Sequence, residues 1–215
     1  MRVVQDWCRA RNEACMAPGA MNALVEKLAP VADRIAPSAT DMIRRDHTKV
    51  LAAFHRYDPA ASPQTKRALA GTICLALEVH AQIEEEIFYP AVRALDGQMV
   101  DKSIPEHDEI RASIAALRGM DAATPEHDAA LMRLMRTVMH HVADEETTML
   151  PHAERALGAR IGELGARMMK RRLELMAPRA GEIARNTAGA LSRNTLLFGA
   201  GALVAASLLL RRRLR

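Results

Sequence analysis

The chain is poor in aromatic residues and in cysteine, and each shortage narrows the range of folds. Aromatic residues make up 3% of its 215 residues, so Ala, Leu, Met and Ile must fill the interior. Those residues are compatible with helices, whereas strand formers are few, and an all-α fold is therefore indicated. The three cysteines, Cys8, Cys15 and Cys74, show no paired spacing, which predicts a reducing compartment and no disulfide framework.

Several functional signatures are absent as well. The first residues contain no continuous apolar segment, so no secretory signal is predicted. Nothing in the sequence resembles a nucleophile triad, a phosphate-binding loop or a nucleotide-binding fold. The basic residues are not interleaved with stacking aromatic residues, so a nucleic-acid partner is not expected.

Charge is distributed unevenly along the chain. Residues 160–215 carry 12 Lys and Arg against 3 Glu, whereas residues 1–159 carry 18 Lys and Arg against 23 Asp and Glu. Residues 195–210 hold no charge and precede an Arg-rich end. This pattern predicts a cytoplasmic domain that associates with the inner membrane through lipid contacts of its C-terminus. A helix docked on the protein or on a partner is the alternative, because sixteen helical residues span only about 24 Å.

Two stretches repeat one chemical pattern at one spacing. In the first, His80 is followed four residues later by Glu84, and Pro90 lies six residues beyond that Glu. Residues four apart lie on the same face of a helix, so the imidazole and the carboxylate point the same way. The second copy has the same spacing at His141, Glu145 and Pro151.

A further histidine precedes each copy by about the length of a helical hairpin. His47 lies 33 residues before His80, and His107 lies 34 residues before His141. His47 and His107 fall on the apolar stripes of their predicted helices, where an unpaired polar group would be costly. The duplication predicts a pseudo-twofold metal site whose ligands are His47, His80, Glu84, His107, His141 and Glu145.

The ligand types limit the metal. Imidazole and carboxylate together favour iron, manganese or zinc over calcium and magnesium. Four histidines and two glutamates suit two metal ions, with the carboxylates able to bridge them, and the interior of a helical bundle is a usual place for such a site.

Apolar periodicity and turn residues predict four helices joined by short polar loops. They begin near Thr40, near Gln64, at Ile104 with Ser103 as cap and Pro105 in the first turn, and at Thr124. Short loops favour an antiparallel, up-down-up-down four-helix bundle with a C-terminal helical extension. The expected parts are an N-terminal extension (1–37, with Met21 as an alternative start), the metal-binding bundle (38–157), a basic helical linker (158–193) and the apolar C-terminal segment (194–215).

The remaining histidines and acidic residues near the motifs have less specific roles. His127 lies about 21 Å along the helix from His141 and cannot share its site. His140 points about 100° away from His141 and is expected to flank the site, His55 is a weaker ligand candidate, and His152 is expected to be exposed. Three further acidic residues are expected on a solvated face, although one could support a ligand from outside: Glu85, Glu86 and Glu146.

These motifs resemble those of the haemerythrin-like family, the HHE cation-binding domains, over about residues 38–157. The resemblance rests on Asp46-His47, on His80-x-x-x-Glu84-Glu85-Glu86-Ile-Phe-Tyr-Pro90, on Glu106-His107-Asp108, and on His141-x-x-x-Glu145-Glu146 with Met149-Leu150-Pro151. It implies a centre of two non-haem iron ions, bridged by Glu84 and Glu145. It also implies reversible O₂ binding, O₂ sensing, iron handling, or peroxide and NO chemistry.

One position departs from the oxygen-carrying members of that family. They place a second histidine four residues after the one that matches His107, and this chain has Arg111 there. An iron with one imidazole fewer is expected to keep a water or a further carboxylate. Two functions therefore remain: a protein that binds O₂ or NO for sensing, storage or buffering, and an enzyme that reduces peroxide or NO or that oxidises and stores iron.

Overall fold

A computed structural model of the chain describes residues 37–190, and within that range every regular element is helical. The α-helices are α1 (Ala39–His55), α2 (Pro63–Ile83), α3 (Tyr89–Arg93), α4 (Gly97–Arg118), α5 (Pro125–Asp144), α6 (Leu150–Leu157), α7 (Arg160–Met176) and α8 (Ala180–Ala190). A five-residue π-helical turn joins α2 to α3 (Glu84–Phe88), and another joins α5 to α6 (Glu145–Met149). A short 3₁₀ turn (Ala177–Arg179) joins α7 to α8.

Four rods form the predicted antiparallel bundle: α1, α2 with α3, α4, and α5 with α6. Each long helix begins at a side chain that accepts a hydrogen bond from an N–H of the first turn. The four capping residues are Ser38, Ser62, Asp96 and Thr124. The all-α bundle expected from the sequence is thus confirmed.

The third rod begins earlier than its sequence predicts. Asp96 lies in an extended conformation and accepts from the N–H of Gln98, so α4 starts at Gly97 rather than at Ile104. Val100 is fully buried and anchors the added turns in the core. Ser103 is therefore no cap, and its hydroxyl donates to the carbonyl of Met99. Pro105 lies inside the helix, where it removes one backbone hydrogen bond.

The repeated prolines follow directly from the π-helical turns. In an α-helix, a proline ring collides with the carbonyl four residues earlier and supplies no N–H to it. In the first turn, the N–H of Tyr89 instead bonds to the carbonyl of Glu84, five residues back, and Pro90 follows at once. The second turn has the same bond, from Leu150 to Glu145, ahead of Pro151. Wide turns of this kind occur often at functional sites.

Two apolar clusters fill the bundle, one on each side of the polar stretch that carries the predicted ligands. One is built around Phe54, Ile73 and Leu131, and the other around Phe88 and Leu150. The polar groups between them are therefore held in a rigid and water-poor layer.

The two C-terminal helices pack against the first half of the bundle. Helix α7 lies on α1 and α2, and α8 lies along α2. A Cβ atom at Gly165 in α7 would lie 2.1 Å from the carbonyl oxygen of Pro37, so only glycine permits this approach. Met168 of the same helix is fully buried in the second apolar cluster.

Between residues 37 and 190, no helix combines the length and the apolarity that crossing a bilayer requires. The predicted N-terminal extension and the apolar segment 194–215 lie outside the described residues, as does the membrane contact predicted for that segment.

Candidate metal centre

All six predicted ligand residues converge in the layer between the two apolar clusters. Each is at least 94% buried, although each carries a polar or charged side chain. Their donor atoms fall into two groups that share Glu84, and the atoms of each group lie within 4.8 Å of one another. The first group is His47, His80, Glu84 and Glu145, and the second is Glu84, His107 and His141.

Each of the two glutamates contacts one histidine from each half of the bundle, and always through Nε2. Glu84 Oε2 lies 3.2 Å from His80 and 3.5 Å from His107. Glu145 Oε2 lies 3.2 Å from His47 and 3.5 Å from His141. This crossed pattern reproduces the pseudo-twofold arrangement that the duplicated spacing predicts.

Several donor atoms of this group have no hydrogen-bond partner. They are His47 Nε2, His80 Nε2, both carboxylate oxygens of Glu84, and Glu145 Oε2; His80 Nδ1 also lacks one, but it faces away from the centre toward Asp46. A buried polar atom without a partner costs about 1–3 kcal/mol, so this concentration of them calls for a ligand that satisfies all at once. Two metal ions of the iron, manganese or zinc type fit this donor set.

The ring nitrogens that face away from the centre are oriented by four further carboxylates, here called the outer carboxylates. Such contacts fix the orientation and tautomer of ligand histidines. The Nδ1–oxygen pairs are His47–Glu146 (2.9 Å), His80–Asp46 (3.6 Å), His107–Glu85 (2.8 Å) and His141–Glu106 (2.9 Å). Glu85 and Glu146 thus act on ligands instead of forming a solvated face, whereas Glu86 remains outside and pairs with Arg171.

Arginines hold three of the four outer carboxylates. Arg44 contacts Glu146 at 3.2 Å, Arg111 contacts Glu85 at 2.8 Å, and Arg172 of α7 contacts Asp46 through both terminal nitrogens. Arg111 also binds Asp108 and is 40% exposed, so its side chain lies outside the ligand cluster. It supports His107 through Glu85.

Tyr89 is a functional residue that the periodicity does not predict. Its ring is buried, and its hydroxyl donates to Glu145 Oε1 at 2.8 Å. The hydroxyl oxygen of Tyr89 also lies 3.3 Å from His107 Nε2. The only sequence signal is its position five residues after Glu84, at the end of the π-helical turn. The corresponding residue of the second half is the apolar Leu150.

Burial and charge divide the two glutamates in the protein without metal. Burial, with the nearby charge of Glu145, raises the pKa of Glu84 well above its ordinary range. Burial acts in the same direction on Glu145, but His47 and the positive field of His141 lower the pKa of that carboxyl below its usual value. Burial also lowers the pKa of His80 to about 4, so this imidazole is neutral and able to bind a metal near neutral pH. Metal binding requires the ionised carboxylate and therefore opposes the raised pKa of Glu84.

A cavity of about 200 Å³ adjoins the cluster. The four histidines line one side of it, and apolar side chains such as Leu77, Ile110 and Val138 line much of the rest. Arg172 and Met176 of α7 also border it. The cavity can admit a molecule of a few atoms to the metal-binding layer, and its apolar lining favours an uncharged one.

The other histidines lie apart from this centre. His127 is buried and its Nδ1 lies 3.1 Å from the hydroxyl of Tyr57, in a separate network with Asp128. His55 is exposed and belongs to neither group of inward-facing donor atoms. His152 is half-buried rather than exposed, and His140 is 73% exposed beside Asp144.

Three comparisons place the chain among known proteins. The family model of the hemerythrin HHE cation binding domain matches residues 38–153. A DNA nickase from Nostoc sp. is 28% identical over 144 residues, which cover 66% of this chain and 40% of that protein. The chain therefore spans less than half the length of that relative. The uncharacterized protein Rv2633c of Mycobacterium tuberculosis is 26% identical over 138 residues, covering 62% of this chain and 84% of that protein.

A solved structure supports the same fold. It is the crystal structure of a hemerythrin HHE cation binding domain-containing protein from Mycobacterium kansasii, a homolog of Rv2633c. The TM-score is 0.60 at 17% sequence identity, and the alignment covers 71% of this chain and 99% of the other.

Proposed function

Because the chain belongs to the hemerythrin HHE cation binding domain family, we propose that it holds two non-haem iron ions and binds O₂ or NO at them for sensing, storage or buffering. The observation that carries the proposal is the set of inward-facing donor atoms without partners, beside an apolar cavity of about 200 Å³. Manganese and zinc fit the same donor atoms, but they are less suited than iron to binding these gases.

The residues of the chain have distinct tasks in this proposal. One ion would be held by His47 and His80 and the other by His107 and His141, with Glu84 available to both and Glu145 grouped with the first pair. Iron, when bound, supplies the reversible redox chemistry that O₂ and NO binding require. The outer carboxylates keep the imidazoles pointed inward, and the apolar walls of the cavity favour small uncharged molecules over solvated ions.

Tyr89 supports a second candidate, a di-iron enzyme that reduces peroxide or NO or oxidises iron. Its hydroxyl lies within the ligand cluster and is the one side-chain hydroxyl bonded to Glu145 among the described residues. A phenol in this place can hand a proton to a ligand that gains electrons, which reduction needs and reversible binding does not.

One experiment separates the two functions. The full chain is reconstituted with ferrous iron under anaerobic conditions, its metal content is measured, and O₂, NO and H₂O₂ are then added while the visible spectrum is followed. A charge-transfer band that appears with O₂ or NO and disappears on degassing supports binding. Sustained loss of peroxide, slowed in Tyr89→Phe, supports the enzyme. A protein that takes up no iron, or whose iron responds to none of the three, contradicts both.

A further inference from the structure

One outer carboxylate lacks the arginine that the other three have. Glu106 accepts from His141 Nδ1 at 2.9 Å, and within residues 37–190 this histidine is its one ion-pair partner. Asp46, Glu85 and Glu146 each have a guanidinium as well. A different group must therefore lie beside Glu106, at the position that an arginine fills beside the other three carboxylates.

His140 and Asp144 of α5 occupy the space beside Glu106. They lie four residues apart on one helix face, with His140 Nε2 3.7 Å from Asp144 Oδ2. One donor atom from each of His140, Asp144 and Glu106 lies within 4.8 Å of the others. Glu106 and Asp144 are half-buried and His140 is exposed, so the group opens to solvent.

The first half of the bundle has no counterpart of this group. The residues that correspond to His140 and Asp144 in the repeat are Val79 and Ile83, both apolar and buried. The group is thus not a by-product of the repeated ligand pattern. It belongs to the second half alone, where the surface is not covered by α7.

Lys102 indicates that a cation is favourable at this place. Its ammonium group donates a hydrogen bond to Asp144, and this bond, together with the negative charges of Asp144 and Glu106, raises the pKa of that amine. The side chain is 58% exposed and reaches Asp144 from the solvent side, so it can leave when another cation arrives. One imidazole with two carboxylates favours a divalent first-row transition ion over calcium or magnesium.

We propose that Glu106, His140 and Asp144 form a peripheral site that captures a divalent transition-metal ion and delivers it to the buried centre. Glu106 is the link, because its carboxylate belongs to the peripheral group and also contacts the ligand His141. The capture step stands on this geometry alone, whereas the delivery step rests on the proposed function of the buried centre.

Manganese is the probe for capture. In the full chain with its centre already filled with ferrous iron, Mn²⁺ is titrated and the free ion is followed by electron paramagnetic resonance. Mn²⁺ binds such donors more weakly than Fe²⁺ does and leaves the filled centre intact. The expected result is one additional Mn²⁺ per chain, weakened at least about tenfold in His140→Ala, since loss of a ligand should cost no less than loss of a supporting contact.

A second variant is expected to change the Mn²⁺ affinity in the opposite direction. Lys102→Ala removes the competing ammonium and should tighten Mn²⁺ binding severalfold. Lys170→Ala removes the same charge from an exposed position on α7, and His55→Ala removes an exposed histidine of α1, so both should match the parent. Equal Mn²⁺ affinity in the parent, His140→Ala and Lys102→Ala overturns the peripheral site.

Delivery is tested by the rate at which iron-free protein fills. Ferrous iron is added anaerobically, and the expected result is slower filling in His140→Ala with the same final iron content as the parent. Equal filling rates overturn delivery through this site. Failure of the proposed function gives a different result. The parent itself would take up no iron at its centre, and the Mn²⁺ titration, then run on the iron-free chain, would still show weaker binding in His140→Ala than in the parent.

Discussion

In the first half of the bundle, formed by α1 to α3, an additional helix covers the outer face of the metal-binding layer. Helix α7 packs there and sends Arg172 to Asp46, which supports His80. In the second half, formed by α4 to α6, the corresponding carboxylate is Glu106, and its surroundings are open to solvent. The inward-facing ligands of the two halves are thus alike, but their outer carboxylates differ. Arg172 covers Asp46 in the first half, whereas no arginine covers Glu106 in the second half, within residues 37–190.

This difference separates what the centre requires from what the rest of the chain adds. Both halves keep two predicted ligand histidines, one predicted ligand glutamate, outer carboxylates and a π-helical turn, because the arrangement of the donor atoms depends on each. Among residues 37–190, the cover by α7, the phenol of Tyr89 and the group around His140 each occur in one half only. We infer that the repeated features hold the metals, whereas the unrepeated ones control access to the metals and supply a proton donor.

The largest effect should come from removing one ligand in either half. His80→Ala and His141→Ala occupy corresponding positions, so each should lower the iron content from about two ions per chain to one or none. Metal analysis after anaerobic reconstitution measures this. His127→Ala is the control, since His127 bonds to Tyr57 in a separate network, and it should retain its iron. A variant of one half that keeps both ions would show that the halves are not equivalent in ligation.

Displacing α7 should have the next largest effect. In Gly165→Ala the new Cβ would meet the backbone of Pro37 and Ser38, so the helix must shift, and a loss of about 1–3 kcal/mol in unfolding free energy is expected. Urea unfolding measures it. Gly162→Ala is the matched control on the same helix, because nothing lies within 4 Å of its Cβ position. That change should stabilise the helix by up to about 1 kcal/mol. Equal stabilisation by both substitutions would mean that α7 does not dock closely.

A smaller effect is expected from Arg172→Gln. The substitution leaves the half-buried carboxylate of Asp46 without its guanidinium partner. An unpaired buried polar group costs about 1–3 kcal/mol of unfolding free energy. The lower end of that range is expected here, because Asp46 keeps its contact with His80. The change should also loosen metal binding in the first half only. The iron released to a chelator should therefore divide into a fast and a slow fraction. A single release rate equal to that of the parent would contradict the role of Arg172.

The smallest effect should follow from Arg111→His. The resemblance to oxygen-carrying members of the family implies that this change restores a ligand, but the side chain of Arg111 contacts Glu85 and Asp108. Loss of that support should reduce iron affinity by about tenfold at most. The spectrum of the O₂ adduct should stay unchanged. A new or longer-lived adduct would mean that a histidine there does reach the metal.

The fold and the inward-facing cluster could be predicted because both depend on local spacing. Positions four apart on a helix share a face whatever surrounds them, so His80 and Glu84 could be placed without a structure. Two of the outer carboxylates have a sequence signal, since Asp46 and Glu106 each directly precede a predicted ligand histidine, His47 and His107. Arg172 could not be assigned, because its contact with Asp46 joins residues 126 positions apart and depends on how α7 docks.

Helix bounds were predictable only where the strongest cap signal was also the true one. Ser103 followed by Pro105 is a common way to begin a helix, but Asp96 begins α4 two turns earlier, and the burial of Val100 stabilises the earlier start. Tertiary packing outweighs the local preference here. Local position also fails to place His55, the last residue of α1, whose side chain is exposed although its neighbour Phe54 is buried in the core.

The π-helical turn at Glu84 has a rotational consequence for the chemistry. Along a regular α-helix, a residue five positions on lies about 140° beyond a full turn and would point away from the metals. The wide turn absorbs one residue, so Tyr89 returns to the side of Glu84 and its hydroxyl reaches Glu145. Rewinding the turn as regular α-helix with all five residues kept would leave composition and charge unchanged, yet it would rotate the phenol out of the centre. The one extra residue that the wide turn holds therefore sets the angle at which a proton donor meets the ligands.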